Sequence, residues 1–314
     1  MSKETLIVLT GPTASGKSDC AIQLCLQMGG EVISADSMQL YRGMEILSAA
    51  PTAEERLGVP HHLMGILDPC EMCTASMYQE LAARAVSDVR ERGREPVLCG
   101  GSGLYIDALI APMAFSVKSD ETLHRALISE SEQPGGPRRL HEELALIDPG
   151  SAARLHENDV RRVVRAIEVY RITGRTLTEH FLEDRRAERP YRDCVFALDW
   201  PREKLYERID KRVDRMLEMG VVQEVEKLLD LKRQFPTAAQ AIGFREIVAA
   251  LENRITMREA VDKMKQASRN YAKRQLTWLR RVPQVHWLQA ADRSSRDLAS
   301  LICERMEKPR NAEG

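Results

Sequence analysis

The sequence lacks any apolar run of about eighteen residues, the length that indicates a membrane-spanning helix. Its first residues also lack the apolar stretch and the small-residue cleavage site of a secretory signal. The seven cysteines are odd in number and dispersed, which is typical of reduced thiols and not of a disulfide framework. We therefore expect a cytoplasmic protein that has no membrane partner.

A large charge of one sign is absent too. The 46 basic and 47 acidic residues leave a formal net charge of −1. The molecule as a whole is therefore not an electrostatic attractant for nucleic acid, and any site for a polyanion must be local. The 314 residues are enough for one large or two ordinary domains, each with its own core.

Short apolar runs alternate with helical segments in the first third of the chain. The predicted strands are residues 6–9, 31–35, 96–99 and, much later, 194–198, and the early helices are residues 18–28 and 77–92. Fully apolar short runs are typical of strands that are buried on both faces. Their alternation with helices predicts a parallel sheet with right-handed crossovers.

The loop after the first predicted strand matches the phosphate-binding pattern G-x-x-x-x-G-K-[ST]. Its residues are Gly11, Pro12, Thr13, Ala14, Ser15, Gly16, Lys17 and Ser18. The glycines let several N–H groups face one anion, and the following helix adds its positive end. Lys17 can reach the outer phosphate, and the Ser18 hydroxyl can ligate Mg²⁺. The sequence therefore predicts a nucleotide-binding or other phosphate-binding P-loop.

The motif by itself does not identify the ligand. Most such loops bind ATP or GTP, so a P-loop kinase for a small hydroxylated metabolite is one alternative. The third predicted strand ends in glycines and not in the aspartate that a Walker B element offers to Mg²⁺, which argues against an ordinary ATPase.

The chain between residues 119 and 189 carries no strand signal and reads as polar helices. We predict an α/β fold, a P-loop NTPase-like parallel sheet flanked by helices, with a helical insertion domain. The predicted divisions are residues 1–116 for the first part of the catalytic core, 117–192 for the insertion, and 193–314 for a strand and helices that complete the core.

Asp36 follows the second predicted strand, at the sheet edge where open α/β folds bind ligands. From its position alone it can accept a proton from a nucleophile, bind Mg²⁺ or cap the following turn. Ser37, Met38, Gln39 and Tyr41 form a polar loop that is well placed to contact a planar base.

Further segments give the chain a specific resemblance. They are residues 33–44 (ISADSMQLYRGM), 58–63 (GVPHHL), 100–106 (GGSGLYI), 158–170 (NDVRRVVRAIEVY), 241–244 (AIGF) and 271–278 (YAKRQLTW). Together with the P-loop, and in this order, they resemble the signatures of the tRNA dimethylallyltransferases. The resemblance covers the chain from about residue 6 to residue 282.

The resemblance implies that the P-loop binds the diphosphate of dimethylallyl diphosphate with Mg²⁺. The implied acceptor is N6 of the adenosine 3′ of the anticodon, position 37 of tRNA, and the implied state is a monomer. Asp36 matches the general base, and Ser102 matches a threonine beside the reacting groups. Arg212 matches an arginine that supports the diphosphate together with Lys17.

The resemblance also implies a larger set of contacts with the anticodon stem-loop. These residues are Asp36, Ser37, Met38, Gln39, His124, Val160, Arg161, Arg162, Val163, Val164, Arg165, Gly243, Phe244, Arg245, Arg269 and Lys273. Arg161 and Arg165 lie one helical turn apart and can reach one anion, whereas Arg162 points elsewhere. The stretch 265–281 contains six basic residues and no acidic one, and it includes the last two residues of the set. Its alternative interpretation is a solvated helix face that is paired with acidic neighbours.

Three departures from the family pattern stand out. Where the family usually shows Gly-Thr-Ala-Lys-Pro, residues 47–51 read Leu-Ser-Ala-Ala-Pro, so Ala50 replaces a lysine that we expect near the ligands. Ser102 replaces a threonine, and Ser-Arg-Asn at 268–270 replaces Thr-Arg-Arg. An RNA-binding module with a degenerate P-loop is therefore the non-enzymatic alternative.

Overall fold

The computed structural model describes residues 4–111, 117, 120–186, 188–231 and 233–307. The chain forms two compact units, Met1–Leu109 with Tyr191–Gly314, and Ile110–Pro190. The bounds predicted from the sequence for the helical insertion were residues 117–192. Residue 116, the predicted end of the first core segment, lies outside the described residues.

The first unit contains a parallel sheet of six strands in the described part of the chain. In chain order they are β1 (Thr5–Thr10), β2 (Gly30–Ser34), β3 (His61–His62), β4 (Glu95–Gly100), β5 (Arg192–Asp199) and β6 (His286–Gln289). Their order across the sheet is β3-β2-β4-β1-β5-β6, and every pair is parallel. The predicted P-loop-like α/β fold is confirmed. The two edge strands, β3 and β6, were not predicted because they are short and contain polar residues.

Helices connect the strands and complete the chain. In chain order they are α1 (Lys17–Met28), α2 (Ala75–Glu91), α3 (Gly103–Ile110), α4 (Glu121–Ser131), α5 (Gly136–Ile147), α6 (Pro149–Ala152), α7 (Val160–Thr173), α8 (Leu177–Arg186), α9 (Arg202–Glu218), α10 (Val221–Asp230), α11 (Phe244–Leu251), α12 (Met257–Leu279) and α13 (Ser295–Glu307), with a 3₁₀ turn at Ala238–Gln240. No helix in the described ranges combines the length and the apolar content needed to cross a membrane.

The strand β1 lies at the centre of the core of the first unit. Leu6, Ile7, Val8 and Leu9 of β1 are fully buried, because β1 is paired with β4 on one side and β5 on the other and both of its faces are covered. The carboxyl ends of β1, β2 and β4 therefore meet at one edge of a rigid sheet.

The second unit has a separate helical core. Leu140 and Leu144 of α5 pack against Val163, Val164 and Ile167 of α7. These three residues of α7 recur at helical spacing on one face, whereas Arg161 and Arg162 near the start of the helix are exposed.

Candidate active site

The phosphate loop lies between β1 and α1 and has the conformation that its sequence predicts. Gly16 (φ 87°) and Ala14 (φ 63°) adopt left-handed backbone conformations, and a side chain at Gly11 would crowd the Ser15 hydroxyl. Gly16 is the N-cap of α1 and supplies no side-chain cap. The first N–H groups of α1 are therefore available to an anion.

Distant residues hold the loop in this shape. The Trp200 indole donates to the Ser15 carbonyl (2.9 Å), and Arg208 Nε donates to the Ala14 carbonyl (2.8 Å) while its guanidinium lies 4.3 Å from the Trp200 ring. Gln275 Oε1 accepts the Thr13 N–H at 2.8 Å. Sequence reasoning missed these supporting roles. For Arg208, the available signal was its spacing from Arg212, because the two arginines lie one helical turn apart.

Two cations lie at the loop without a carboxylate ion-pair partner among the described residues. Lys17 Nζ donates to the Pro12 carbonyl (3.4 Å), and Arg212 donates to Thr13 Oγ1 (3.0 Å) and to the Ser48 carbonyl (3.4 Å). Burial lowers the pKa of Lys17, and the charge of Arg212 lowers it further. Burial likewise lowers the pKa of Arg212. Because the two desolvated cations also repel each other, a bound polyanion would stabilise both.

Asp36 follows β2 and faces the same edge of the sheet. Its Oδ1 accepts the Met38 N–H (3.0 Å), so the capping role is present. Its Oδ2 has no hydrogen-bond partner in the described part of the chain. Asp36 lines a small cavity of about 20 Å³ together with Lys17 and Ser18. The carboxylate and the phosphate loop therefore converge on one place.

Ser102 lies beside Asp36 because β4 ends next to β2. Its Oγ accepts the Ser37 N–H (3.0 Å), and its own N–H donates to the Ala35 carbonyl (3.1 Å). Ser102 Oγ donates to the Ser37 hydroxyl (3.3 Å), and the Tyr271 hydroxyl of α12 donates to the Gly101 carbonyl (3.5 Å). Burial, with help from Asp36, raises the pKa of Tyr271 to about 12. Tyr271 therefore remains a neutral phenol near neutral pH.

The glycines at the end of β4 and just after it allow close packing. A Cβ at Gly100 would overlap the Ala35 backbone, one at Gly101 the Gln275 amide, and one at Gly103 the Trp278 ring. These contacts let β2 and α12 approach the end of β4. They give a physical reason for glycines where a Walker B strand carries an aspartate.

Two larger cavities meet at Arg212 and Met216. The first, of about 370 Å³, contains the phosphate-loop residues Lys17 and Ser18 and also Ala50. Arg208, Lys211 and Arg215 also line it, as do the acidic residues Asp19, Glu45 and Glu55, and Glu55 pairs with Arg215 (3.0 Å). The second, of about 250 Å³, is lined by Asp36, Ser37, Met38, Tyr271 and Arg274, with apolar walls from Val213 and Ile242. One side of Arg212 thus suits an anionic leaving group, and the other suits a planar acceptor.

The loop that carries Ala50 is fixed from α10. The Glu224 carboxylate accepts the N–H groups of Ile46 (2.8 Å) and Leu47 (2.7 Å). Ala50 lies in the wall of the 370 Å³ cavity, so the lysine that this chain lacks would have lined the same cavity as Lys17.

The fit of Mg²⁺ can be judged from the oxygen donors. No group of three His, Cys, Asp or Glu side chains forms a metal site among the described residues. Ser18 nevertheless lines the cavities at the phosphate loop. A hydroxyl at this place fits Mg²⁺, which keeps several waters and takes its other ligands from phosphates.

The residues of the first unit that were predicted to contact tRNA have different environments. Ser37 and Met38 line the 250 Å³ cavity, whereas Gln39 accepts a hydrogen bond from Ser34 (2.7 Å). Gly243 (φ 105°) is the N-cap of α11, and Arg245 is exposed. Phe244 is only 7% exposed, and its ring packs against that of Phe235. Contact of the segment 243–245 with tRNA stays a prediction.

The basic stretch of α12 is divided between two roles. Lys265 pairs with Asp214 (2.6 Å) and Arg269 with Asp210 (2.5 Å), which is the acid-paired alternative that the sequence left open. Lys273 is exposed, and among the described residues its ammonium has no partner. For Lys273, contact with tRNA stays a prediction.

The corresponding residues of the second unit lie on or under α7. Val163 and Val164 are 1% and 0% exposed in the helical core, where their side chains support the helix. Contact of this segment with tRNA stays a prediction. Arg165 donates to the buried Glu168 (3.0 Å) and to the Val117 carbonyl (2.6 Å). Its guanidinium, which we expected to bind one anion together with Arg161, is therefore already hydrogen-bonded within the protein.

The remaining predicted contacts of this unit are closer to solvent. Arg162 pairs with Asp159 (3.1 Å), and Arg161 is exposed without a partner in the described ranges. His124 lies 3.6 Å from the Glu168 carboxylate, and Val160 packs at the edge of the core.

The fold and the site together define a class. An open parallel sheet, a glycine-rich loop that begins a helix at a lysine, and a carboxylate that faces the same cavity define a P-loop protein with a group-transfer site.

Comparisons with known proteins define the family. The model described as IPP transferase matches residues 39–282. The tRNA dimethylallyltransferase of Carboxydothermus hydrogenoformans is 40% identical over 299 residues, which cover 95% of this chain and 96% of that protein. That of Geobacter sulfurreducens is 44% identical over 295 residues, with 92% and 93% covered.

Solved structures agree with this relationship. The tRNA isopentenylpyrophosphate transferase of Bacillus halodurans matches with a TM-score of 0.72 and 39% identity, over 97% of both chains. A eukaryotic dimethylallyltransferase acting on tRNA matches with a TM-score of 0.83 and 30% identity, over 99% of this chain and 81% of that one. The chain belongs to the IPP transferase family, and the predicted membership of a prenyltransferase family is confirmed.

Proposed function

We propose that this protein transfers the dimethylallyl group of dimethylallyl diphosphate to N6 of the adenosine at position 37 of a tRNA. The observation that carries this proposal is the convergence of the phosphate loop and Asp36 on adjoining cavities. The names of the relatives support a tRNA acceptor. We further propose that the protein acts as a monomer in the cytoplasm.

The diphosphate of the donor binds to the open N–H groups of α1, to Lys17 and to Arg212. During transfer the bond between the donor's C1 and its bridging oxygen breaks, and the diphosphate leaves with the bonding electrons. The negative charge that develops on this oxygen is stabilised by cations that are already in place. Ser18 would hold Mg²⁺ here, and the ion, when bound, neutralises part of the diphosphate charge.

The acceptor amine requires a different kind of help. An exocyclic adenine nitrogen is a poor nucleophile, so removal of its proton by an aligned carboxylate assists formation of the bond between C1 and N6. Asp36 accepts this proton at Oδ2, while Oδ1 remains bound to the Met38 N–H. The base must leave its stack to react, and the 250 Å³ cavity supplies the site that receives it.

We propose that exposed cations bind the RNA backbone. Arg161, Arg245 and Lys273 are exposed and have no ion-pair partner among the described residues. Each can contact a phosphate, whereas Arg269 and Arg165 are already paired with carboxylates. The assignment of the second unit to tRNA binding is part of this proposal.

The test is an assay with purified protein, Mg²⁺, dimethylallyl diphosphate and an unmodified anticodon stem-loop RNA. We expect equal amounts of released diphosphate and prenylated adenosine, detected by nucleoside mass. A stem-loop with guanosine at position 37 is the matched control and should give neither product.

Three outcomes would contradict the proposal. One is the absence of both products with the adenosine RNA. Another is tight ATP binding without affinity for prenyl diphosphates, which would favour a kinase. The third is normal binding of the stem-loop without turnover, which would favour an RNA-binding module.

A further inference from the structure

Gln275 of α12 bridges two loops at the reaction centre. We infer that Gln275 is a positioning residue that sets the distance between the phosphate loop and the loop carrying Ser102. This inference rests on the proposed function, because it concerns the alignment of the donor with the acceptor in that reaction.

The Gln275 amide is 6% exposed and satisfies both of its ends with backbone groups. Its Oε1 accepts the Thr13 N–H (2.8 Å), and its Nε2 donates to the Gly101 carbonyl (2.9 Å). A primary amide combines a donor and an acceptor in one planar group. A buried carboxylate at this position can only accept, and an apolar side chain can do neither.

Each end of the bridge leads to groups that face the reactants. Thr13 accepts a hydrogen bond from Arg212 through its hydroxyl (3.0 Å) and lines the 250 Å³ cavity. Gly101 precedes Ser102, whose hydroxyl accepts the N–H of Ser37, the residue after Asp36. The amide thus connects the donor side of the site to the acceptor side through two hydrogen bonds.

The glycine at 101 is complementary to this amide. A Cβ there would overlap Gln275 Nε2, so the backbone at 101 comes close to α12 only because it carries no side chain. Gly101→Ala should therefore displace the amide and produce the same defect as loss of Gln275.

The helix that carries Gln275 has other attachments. The Trp278 indole donates to Asp107 Oδ2 (2.8 Å), Arg269 pairs with Asp210, and Ala272 and Leu279 are buried. Because α12 is held at several points, removal of one amide should leave the helix in place. The phosphate loop would lose its hydrogen bond at Thr13 and gain freedom to move.

The experiment compares Gln275→Met and the isosteric Gln275→Glu with the wild-type protein. Gln266→Met is the matched control, since Gln266 is exposed on the same helix. Three quantities are measured: the single-turnover rate of prenyl transfer, the Kd for inorganic diphosphate with Mg²⁺, and hydrogen exchange of the Thr13 amide. The last needs no catalytic activity.

We expect both Gln275 variants to slow transfer by roughly 10- to 100-fold, since a misplacement of about 1 Å costs about this much. Their Kd for diphosphate should stay within about threefold of the wild-type value, because the cations that bind it are unchanged. Exchange at Thr13 should become faster in Gln275→Met, whereas Gln266→Met should resemble the wild type in all three measurements.

Several results would overturn the inference. A normal transfer rate in Gln275→Met, even with a lower melting temperature, would make the amide merely structural. If diphosphate affinity and transfer rate fell equally, Gln275 would only maintain the shape of the phosphate loop and would not set the distance between the two loops. If the wild type itself transfers no prenyl group, the proposed function fails and the inference fails with it. Should Gln275→Met not fold, the same criteria apply to Gln275→Glu.

Discussion

Two regions, the phosphate loop of the first unit and α7 of the second, differ in how their positive charges are paired. In the first unit, Lys17 and Arg212 donate to backbone carbonyls and a hydroxyl, and neither has a carboxylate ion-pair partner among the described residues. In the second unit, Arg162 and Arg165 pair with Asp159 and Glu168. The first arrangement leaves positive charge for a ligand to neutralise, and the second neutralises most of it internally. A change of charge should therefore have a larger effect at the phosphate loop than at the paired arginines of α7.

The largest expected effect is at Asp36. Asp36→Asn keeps the shape and the cap on the Met38 N–H but removes the proton acceptor, so the single-turnover rate should fall by about two to four orders of magnitude. Diphosphate affinity should change little. Turnover at the wild-type rate would show that Asp36 is not the base.

Lys17→Met tests the positive charge at the phosphate loop, which no carboxylate of the described residues pairs. Loss of one charge-assisted contact should weaken diphosphate binding by roughly 10- to 100-fold. Because burial lowers the pKa of Lys17, its removal should leave the melting temperature without ligand unchanged or raised.

The measurement for Lys17→Met is a thermal shift with diphosphate. At about 100 times the wild-type Kd, the ligand should stabilise the wild type by about 2.7 kcal/mol and a variant with 100-fold weaker binding by only about 0.4 kcal/mol. Equal shifts in the two proteins would show that the ligand does not use this lysine. Lys227→Met on the exposed part of α10 is the control.

Arg161→Ala tests the second unit. Arg161 is exposed and unpaired in the described part of the chain, so its loss should weaken stem-loop binding by about three- to tenfold and lower the salt slope by about one. Arg162→Ala, which removes an arginine paired with Asp159, should have less effect. Equal losses would mean that pairing with an acid does not remove a cation from the RNA interface. The comparison uses binding titrations at several salt concentrations.

The smallest expected effect comes from restoring the missing lysine. Ala50 lines the cavity at the phosphate loop. Because a lysine placed there would be exposed to solvent, its charge should lower the donor KM by only about two- to fivefold. Ala50→Met controls for size without charge. A KM that is unchanged in the lysine variant would indicate that Arg208, Lys211 and Arg212 already suffice.

Local patterns predicted the scaffold of the site well. The P-loop spacing, the apolar runs of β1, β2 and β4, and the position of Asp36 after β2 are each encoded within a few neighbouring residues. The sheet then brings the strand ends together, so the meeting of Lys17 with Asp36 and of Ser102 with Ser37 follows from topology.

The rest could not be predicted because it depends on distant contacts. Gln275 lies 262 residues from Thr13 in sequence, and no local pattern joins them. The resemblance named whole segments and therefore included Val163, Val164 and Phe244, whose side chains are buried. The helical period of α7 could have separated its core face from Arg161, whereas the pairing of Arg269 with Asp210 on α9 required the tertiary structure.

A structure of the protein with inorganic diphosphate and Mg²⁺ tests the central claim most directly. We predict that the diphosphate occupies the loop at residues 11–18, in hydrogen-bonding contact with Lys17 and Arg212, while the Asp36 carboxylate faces the adjoining cavity. A diphosphate bound elsewhere, or an Asp36 side chain turned away from it, would contradict the account.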